Sequence, residues 1–144
     1  MKTYKGLAAL TIHAPVERIW AILVDISAWH AWDANFVKVE GRVALGAEVR
    51  IISTLFPNRA VSVEVTELTP PMRMTWTSTL AAGECTGVHT YILIPKSDGD
   101  VEFVTYEYFS GPSVAEIETS IPDMTDSFNQ FAAGLKHRAE TSEG

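Results

Sequence analysis

Residues 14–33 read APVERIWAILVDISAWHAWD, and this stretch decides how the chain begins to fold. Pro15 suits a first helical position, where its missing N–H costs nothing, and Glu17 places an acid in the first turn. Val16, Ile19, Trp20 and Leu23 recur at i, i+3, i+4 and i+7 and give one buried stripe. Asp25 to Ser27 interrupt the stripe. Ser27 is expected to cap a second, short helix running through Trp32.

A second apolar helix is expected at the far end of the chain. Val114, Ile117, Ile121, Met124, Phe128, Phe131 and Leu135 repeat with alternating gaps of three and four. Ser113 with Glu116 forms a capping-box signature ahead of them. Pro122 lies inside the stripe, which keeps its phase across it, so one kinked helix is expected. The alternative is a coiled-coil seam. Lys136, His137 and Arg138 suit the negative end of the helix dipole, and residues 140–144 are expected to fray.

Nearly everything between is strand and turn. Tyr4 to His13 suits a first strand. Phe36–Val43, Glu48–Leu55, Ala60–Leu68, Met72–Thr77, Thr86–Ile94 and Val101–Phe109 follow, separated by short turn-rich segments. Val61, Val63 and Val65 alternate with Ser62, Glu64 and Thr66, the period-two pattern of a sheet with one wet face. Short loops between consecutive strands predict an antiparallel meander. The fold class is α+β: a curved antiparallel sheet of six to seven strands around a long C-terminal helix, with two short helices after the first strand.

The 144 residues suit a single domain spanning 1–144. A net charge of −7 repels phosphate backbones and argues against nucleic acid as a partner. No apolar run approaches the ~18–20 residues of a membrane span, so no membrane insertion is expected. The N-terminus lacks a signal-peptide pattern, and the lone Cys85 fits a reducing compartment; a cytoplasmic location is the expectation.

A twisted sheet of this size curls, and one helix about 10 Å across cannot fill its concavity. The candidates for the remaining space are Trp32, Phe36, Trp76, Tyr91, Tyr106, Tyr108, Met124, Phe128 and Phe131. Large apolar walls with a few polar tips are what small-molecule pockets look like. The same residues also read as plain core. Gly134 is expected to let the helix approach the sheet closely. The last two strands are apolar at both parities, so alternation does not say which set faces inward; the outer set is a candidate homodimer surface.

The layout resembles the helix-grip fold of the START/Bet v 1-like superfamily (SRPBCC), in its polyketide cyclase/dehydrase-like branch. The matching pieces are APVERIWAILVDISAWHAWD, VEGRVALGAEVRI (39–51), VTELTPPMRMTW (65–76), GVHTYILIP (87–95), YEYFSG (106–111) and LKHRAE (135–140). The resemblance covers nearly the whole chain and is specific for fold rather than for function. It implies a deep apolar cavity between sheet and C-terminal helix that takes a lipid- or polyketide-like molecule, and in a few relatives cyclisation or dehydration. No catalytic motif carries over position by position.

Chemistry-bearing clusters are sparse. His13, His30, His89 and His137 are scattered, so no metal site is expected, and no cofactor motif is present. Cys85 and His89 share a strand face but lie about 13 Å apart along it, too far for a nucleophilic pair. Asp33 and Asn35, beside Trp32, read as turn residues or as contacts at a cavity mouth. The acid–base candidates are His89 and Glu107, which neighbouring strands bring toward Tyr91, Tyr106 and Tyr108. Three functions remain open: binding of a small hydrophobic or aromatic ligand, a cyclase/dehydratase using His89 or Glu107, and a co-chaperone-like interaction module.

Overall fold

The structure, a computed structural model, describes residues 2–54, 58, 60–80, 85–111 and 121–141. The element order is β1 (Lys2–Ile12), α1 (Val16–Val24), a 3₁₀ helix (Ile26–Ala31), β2 (Phe36–Gly41), β3 (Glu48–Ser53), β4 (Val61–Thr69), β5 (Arg73–Leu80), β6 (Cys85–Pro95), β7 (Val101–Ser110) and the C-terminal helix α2 (Thr125–Thr141). The seven strands form one sheet in the order β1-β7-β6-β5-β4-β3-β2, every neighbour antiparallel. Strands β2 to β7 are the expected meander. β1 closes back beside β7, so α1 and the 3₁₀ helix must carry the chain from one edge of the sheet to the other.

Pro15 precedes α1 in an extended conformation, and its carbonyl accepts the N–H groups of Arg18 and Ile19 at 3.1 and 3.2 Å. Ile19 and Leu23 are fully buried, as the stripe requires. Ser27 does not cap the next helix. It lies inside the 3₁₀ turn, and its hydroxyl donates to the Asp25 carboxylate at 3.5 Å. Three residues per turn then place Trp29 and Trp32 on the same side.

The C-terminal helix differs from its expectation at both ends. Residues 121–124 are not helical and α2 begins at Thr125. Pro122 lacks the N–H a helix would use and pushes the residue before it out of the helical region. The Asp123 carboxylate accepts the Thr125 N–H at 2.9 Å, and the Met124 N–H donates to the Lys5 carbonyl at 2.6 Å, tying the start of α2 to β1. The Ser113–Glu116 capping box, Val114 and Ile117 lie outside the described residues. At the other end, Glu140 and Thr141 are helical rather than frayed. The Glu140 carboxylate accepts from Lys136 at 2.6 Å and from the His13 N–H at 2.8 Å, docking this end onto the chain that follows β1.

Phe128, Phe131, Ala132, Leu135 and Ala139 form the buried face of α2. Gly134 allows a close approach, but to the wrong expected neighbour. A Cβ there would sit 2.5 Å from the Trp32 carbonyl oxygen, so the glycine admits the 3₁₀ segment, not the sheet. The reason is lateral placement: α2 packs over β1, leaving its Gly134 flank to the crossover between α1 and β2.

Candidate ligand-binding site

Burial and register decide the parity left open by the sequence. Leu93, Tyr91, Val101, Phe103 and Phe109 are buried, whereas Ile94, Tyr4 and Leu7 are exposed. The concave face therefore carries Cys85, Gly87, His89, Tyr91 and Leu93 from β6, and Val101, Phe103, Thr105, Glu107 and Phe109 from β7. Tyr106 and Tyr108 are of opposite parity and lie on the outer face. The Tyr4 ring packs on both, at 6.3 and 5.6 Å, and the Lys2 ammonium sits over Tyr108 at 4.3 Å. They are thus excluded from the concave site by strand geometry alone.

One cross-strand row runs over the concave floor. Val65 on β4 pairs with Trp76 on β5, Trp76 with His89 on β6, His89 with Glu107 on β7, and Glu107 with Gly6 on β1. The His89 Nδ1 and Glu107 Oε1 atoms are 4.0 Å apart. Both side chains are largely buried, with 18% and 15% of their surfaces exposed.

The His89 tautomer follows from its partners. The Thr105 hydroxyl donates its one proton to the Thr90 carbonyl at 3.0 Å. It must therefore accept from His89, whose Nε2 lies 2.7 Å away, so Nε2 carries the proton. Nδ1 is left with a lone pair, which accepts from the Tyr91 hydroxyl at 3.3 Å. The imidazole is also flanked by rings: Tyr91 stacks at 4.2 Å and Phe128 at 4.7 Å, both within 16° of parallel. Removed from water in this way, the charged form is disfavoured, and burial holds His89 down to about 3. The same burial pushes Glu107 up to about 7. The Tyr91 hydroxyl is raised by burial and by the neighbouring Glu107. At neutral pH the floor thus presents a neutral imidazole beside a carboxyl poised to gain or lose a proton.

Gly6 explains how Phe128 reaches this row. A Cβ at Gly6 would lie 2.6 Å from the Phe128 ring, so only glycine leaves room for it. Phe128 therefore covers both neighbours of Glu107, Gly6 on one side and His89 on the other. Met124, also buried, sits one turn earlier.

The other candidates gather elsewhere. Trp29, fully buried, packs against Trp32, Phe36, Trp76, Tyr91 and Phe131 with ring centroids 4.8 to 6.1 Å apart. It lies nearly parallel to Trp76, at 5.3 Å and 11°. Its indole N–H donates to the Leu23 carbonyl at 3.0 Å. Trp29 therefore packs into the concavity against β2, β5 and β6, with Trp32, Phe36, Trp76, Tyr91 and Phe131 as its partners. Sequence reasoning left it out, although its i, i+3 spacing from Trp32 placed both on one side of a tight turn. Thr105 was also missed; its signal was the shared parity with Glu107, two residues on. The Trp76 indole N–H is buried and has no hydrogen-bond partner among the described residues.

Asp33 and Asn35 form a turn. The Asp33 carboxylate accepts the Asn35 N–H at 2.9 Å and the Gln130 amide at 3.4 Å, and burial raises its pKa. Among the described residues, no group of three His, Cys, Asp or Glu side chains is arranged to hold a metal ion. No described helix is long and apolar enough to cross a membrane.

The architecture recurs in solved structures. The Zhui aromatase/cyclase from a Streptomyces species superposes with a TM-score of 0.77 at 13% identity, over 97% of this chain and 94% of that one. Norcoclaurine synthase from Thalictrum flavum gives 0.75 at 10% identity, covering 100% and 98%. A START superfamily protein from Mycobacterium smegmatis gives 0.70 at 11%, covering 96% and 98%. At such identities these likenesses concern the fold alone. No curated protein matches the chain in sequence. A family model described as polyketide cyclase / dehydrase and lipid transport does match, over residues 8–140. With its seven-stranded sheet curled against a C-terminal helix, this chain belongs to that family and has the START-like helix-grip fold.

Proposed function

We propose that this protein binds a small, mostly apolar or aromatic molecule, lipid- or polyketide-like, whose polar end sits on the Trp76–His89–Glu107 row. The observation that carries the reading is the His89–Glu107 pair, 4.0 Å apart on the concave floor under the apolar cover of Phe128. Two ionisable groups held in a dry setting are costly, and such placements concentrate at functional sites. A ligand oxygen near them reaches both, and an acceptor on the ligand would also relieve the unpartnered Trp76 indole N–H, which costs roughly 1–3 kcal/mol if left unmet. The family description, which includes lipid transport, agrees with such a role.

A second reading is a cyclase or dehydratase. Glu107, held near 7, matches the requirement that a general acid or base titrate near working pH. In a dehydration it would take the proton from carbon or give one to the departing hydroxyl, with the neutral His89 Nδ1 as the alternate acceptor.

Native mass spectrometry of the purified protein tests the first reading: a co-purified small molecule, or saturable uptake of an apolar dye weakened by Phe128→Ala, is expected. Failure to bind any apolar probe at millimolar concentration ends it. The second requires turnover of a β-hydroxy carbonyl or poly-β-keto substrate that disappears in both Glu107→Gln and His89→Ala; unchanged turnover removes the altered residue from the mechanism.

A further inference from the structure

A second recess lies outside the sheet–helix interior. Arg18, Ala21 and Ile22 on α1, with Asp25 just past its end, form one wall of an open groove of about 410 Å³. Ala28, Trp32 and Arg138, the last from α2, complete it. Arg18 crosses from α1 to α2, its Nε donating to the Ala139 carbonyl at 2.7 Å, while its Nη2 is buried and has no hydrogen-bond partner among the described residues. Arg138 is exposed and meets no carboxylate among the described residues. Elsewhere in this acidic chain Arg73 and Lys136 each pair with a glutamate, at 2.9 and 2.6 Å. Two guanidinium groups without an anionic partner therefore line one groove whose remaining surface is mostly apolar.

We propose that this groove binds a small aromatic monocarboxylate. Guanidinium is a planar, permanently charged fork that matches a carboxylate, and Arg18 and Arg138 bring two of them to this one groove. A flat apolar body suits the Trp32 ring and the short side chains of Ala21 and Ile22. Asp25, whose carboxylate accepts from Ser27 at 3.5 Å and from no other side chain among the described residues, sets the charge limit. It repels a second negative charge and so favours a monoanion over a doubly charged phosphate.

The test uses ¹⁵N-labelled protein and two probes with one body, 2-naphthoate and its neutral amide. Saturable shifts of the Trp32 indole N–H, assigned with Trp32→Phe, and of the arginine Nε–H signals are expected with the carboxylate. It should bind at least tenfold tighter than the amide. Arg138→Gln, an exposed change that leaves the fold intact, should weaken the carboxylate at least fivefold and the amide little. Arg18→Gln should do the same if it folds, and Asp25→Asn should tighten the carboxylate. Equal affinity for the two probes, unchanged affinity in Arg138→Gln, or shifts confined to the Trp76 indole and the Gly87 amide on the concave face would each overturn the proposal.

Discussion

Phe128 lies flat over His89, ring centroids 4.7 Å apart and planes 12° from parallel. That contact links the C-terminal helix to the histidine on the concave floor. It rests on Gly6, since any side chain there would collide with the ring.

Truncating Phe128 should therefore have two separable effects. Loss of a buried aromatic costs about 3–5 kcal/mol where the site cannot collapse. Water admitted to His89 should also raise its pKa from about 3 toward 6.5. Denaturation of Phe128→Ala measures the first, and an NMR titration of the imidazole protons measures the second. A His89 signal that still fails to titrate above pH 5 would show that Phe128 is not what keeps it dry.

Gly6→Ala should push the Phe128 ring aside and destabilise by about 1–3 kcal/mol, the usual cost of overpacking. In the Phe128→Ala background the same change meets no ring, and its cost should largely vanish. A double-mutant cycle by urea denaturation gives the coupling; additive effects would contradict the contact.

Glu107 and His89 act on stability in opposite senses as pH changes. Between 4.5 and about 7 the folded protein keeps a proton on Glu107 that the unfolded chain releases, so this contribution falls as pH rises. Between about 3 and 6.5 the unfolded chain binds a proton on His89 that the folded state excludes, so this contribution rises with pH. From 4.5 to 6.5 the two slopes offset each other. Glu107→Gln removes the falling limb. Relative to the parent it should gain up to roughly 3 kcal/mol between about pH 5 and pH 8. Parallel stability curves for the two proteins over that range would refute the raised carboxyl.

Trp29→Ala should open the plugged side of the concavity. A loss of about 3–5 kcal/mol is expected. If the variant remains folded, fluorescence of an apolar dye should rise, because Trp76, Tyr91 and Phe131 lose their shared partner. Unchanged dye binding in a folded variant would mean that the neighbours collapse into the gap.

The order of elements was legible in the sequence because it depends on local signals. Alternation along Val61 to Thr66, the stripe from Val16 to Leu23 and the turn residues between strands are each written within ten residues or so. His89 and Glu107 were legible as candidates for a similar reason: both sit in a hairpin whose pairing follows from its turn. Their separation and their surroundings were not.

Three things only the tertiary structure decided. The inward parity of β6 and β7 was hidden because both faces of the hairpin are apolar, and only packing against Phe128 and Phe131 sorts His89, Tyr91 and Glu107 inward from Tyr106 and Tyr108 outward. The start of α2 was hidden because a three-four stripe says which residues share a face, not where Pro122 breaks the backbone. The packing of Trp29 into one side of the concavity was hidden because a residue more than forty positions from Trp76 stacks on it only after the crossover is laid against the sheet. Local periodicity specifies elements; contacts distant in sequence exist only once those elements compete for the same interior volume.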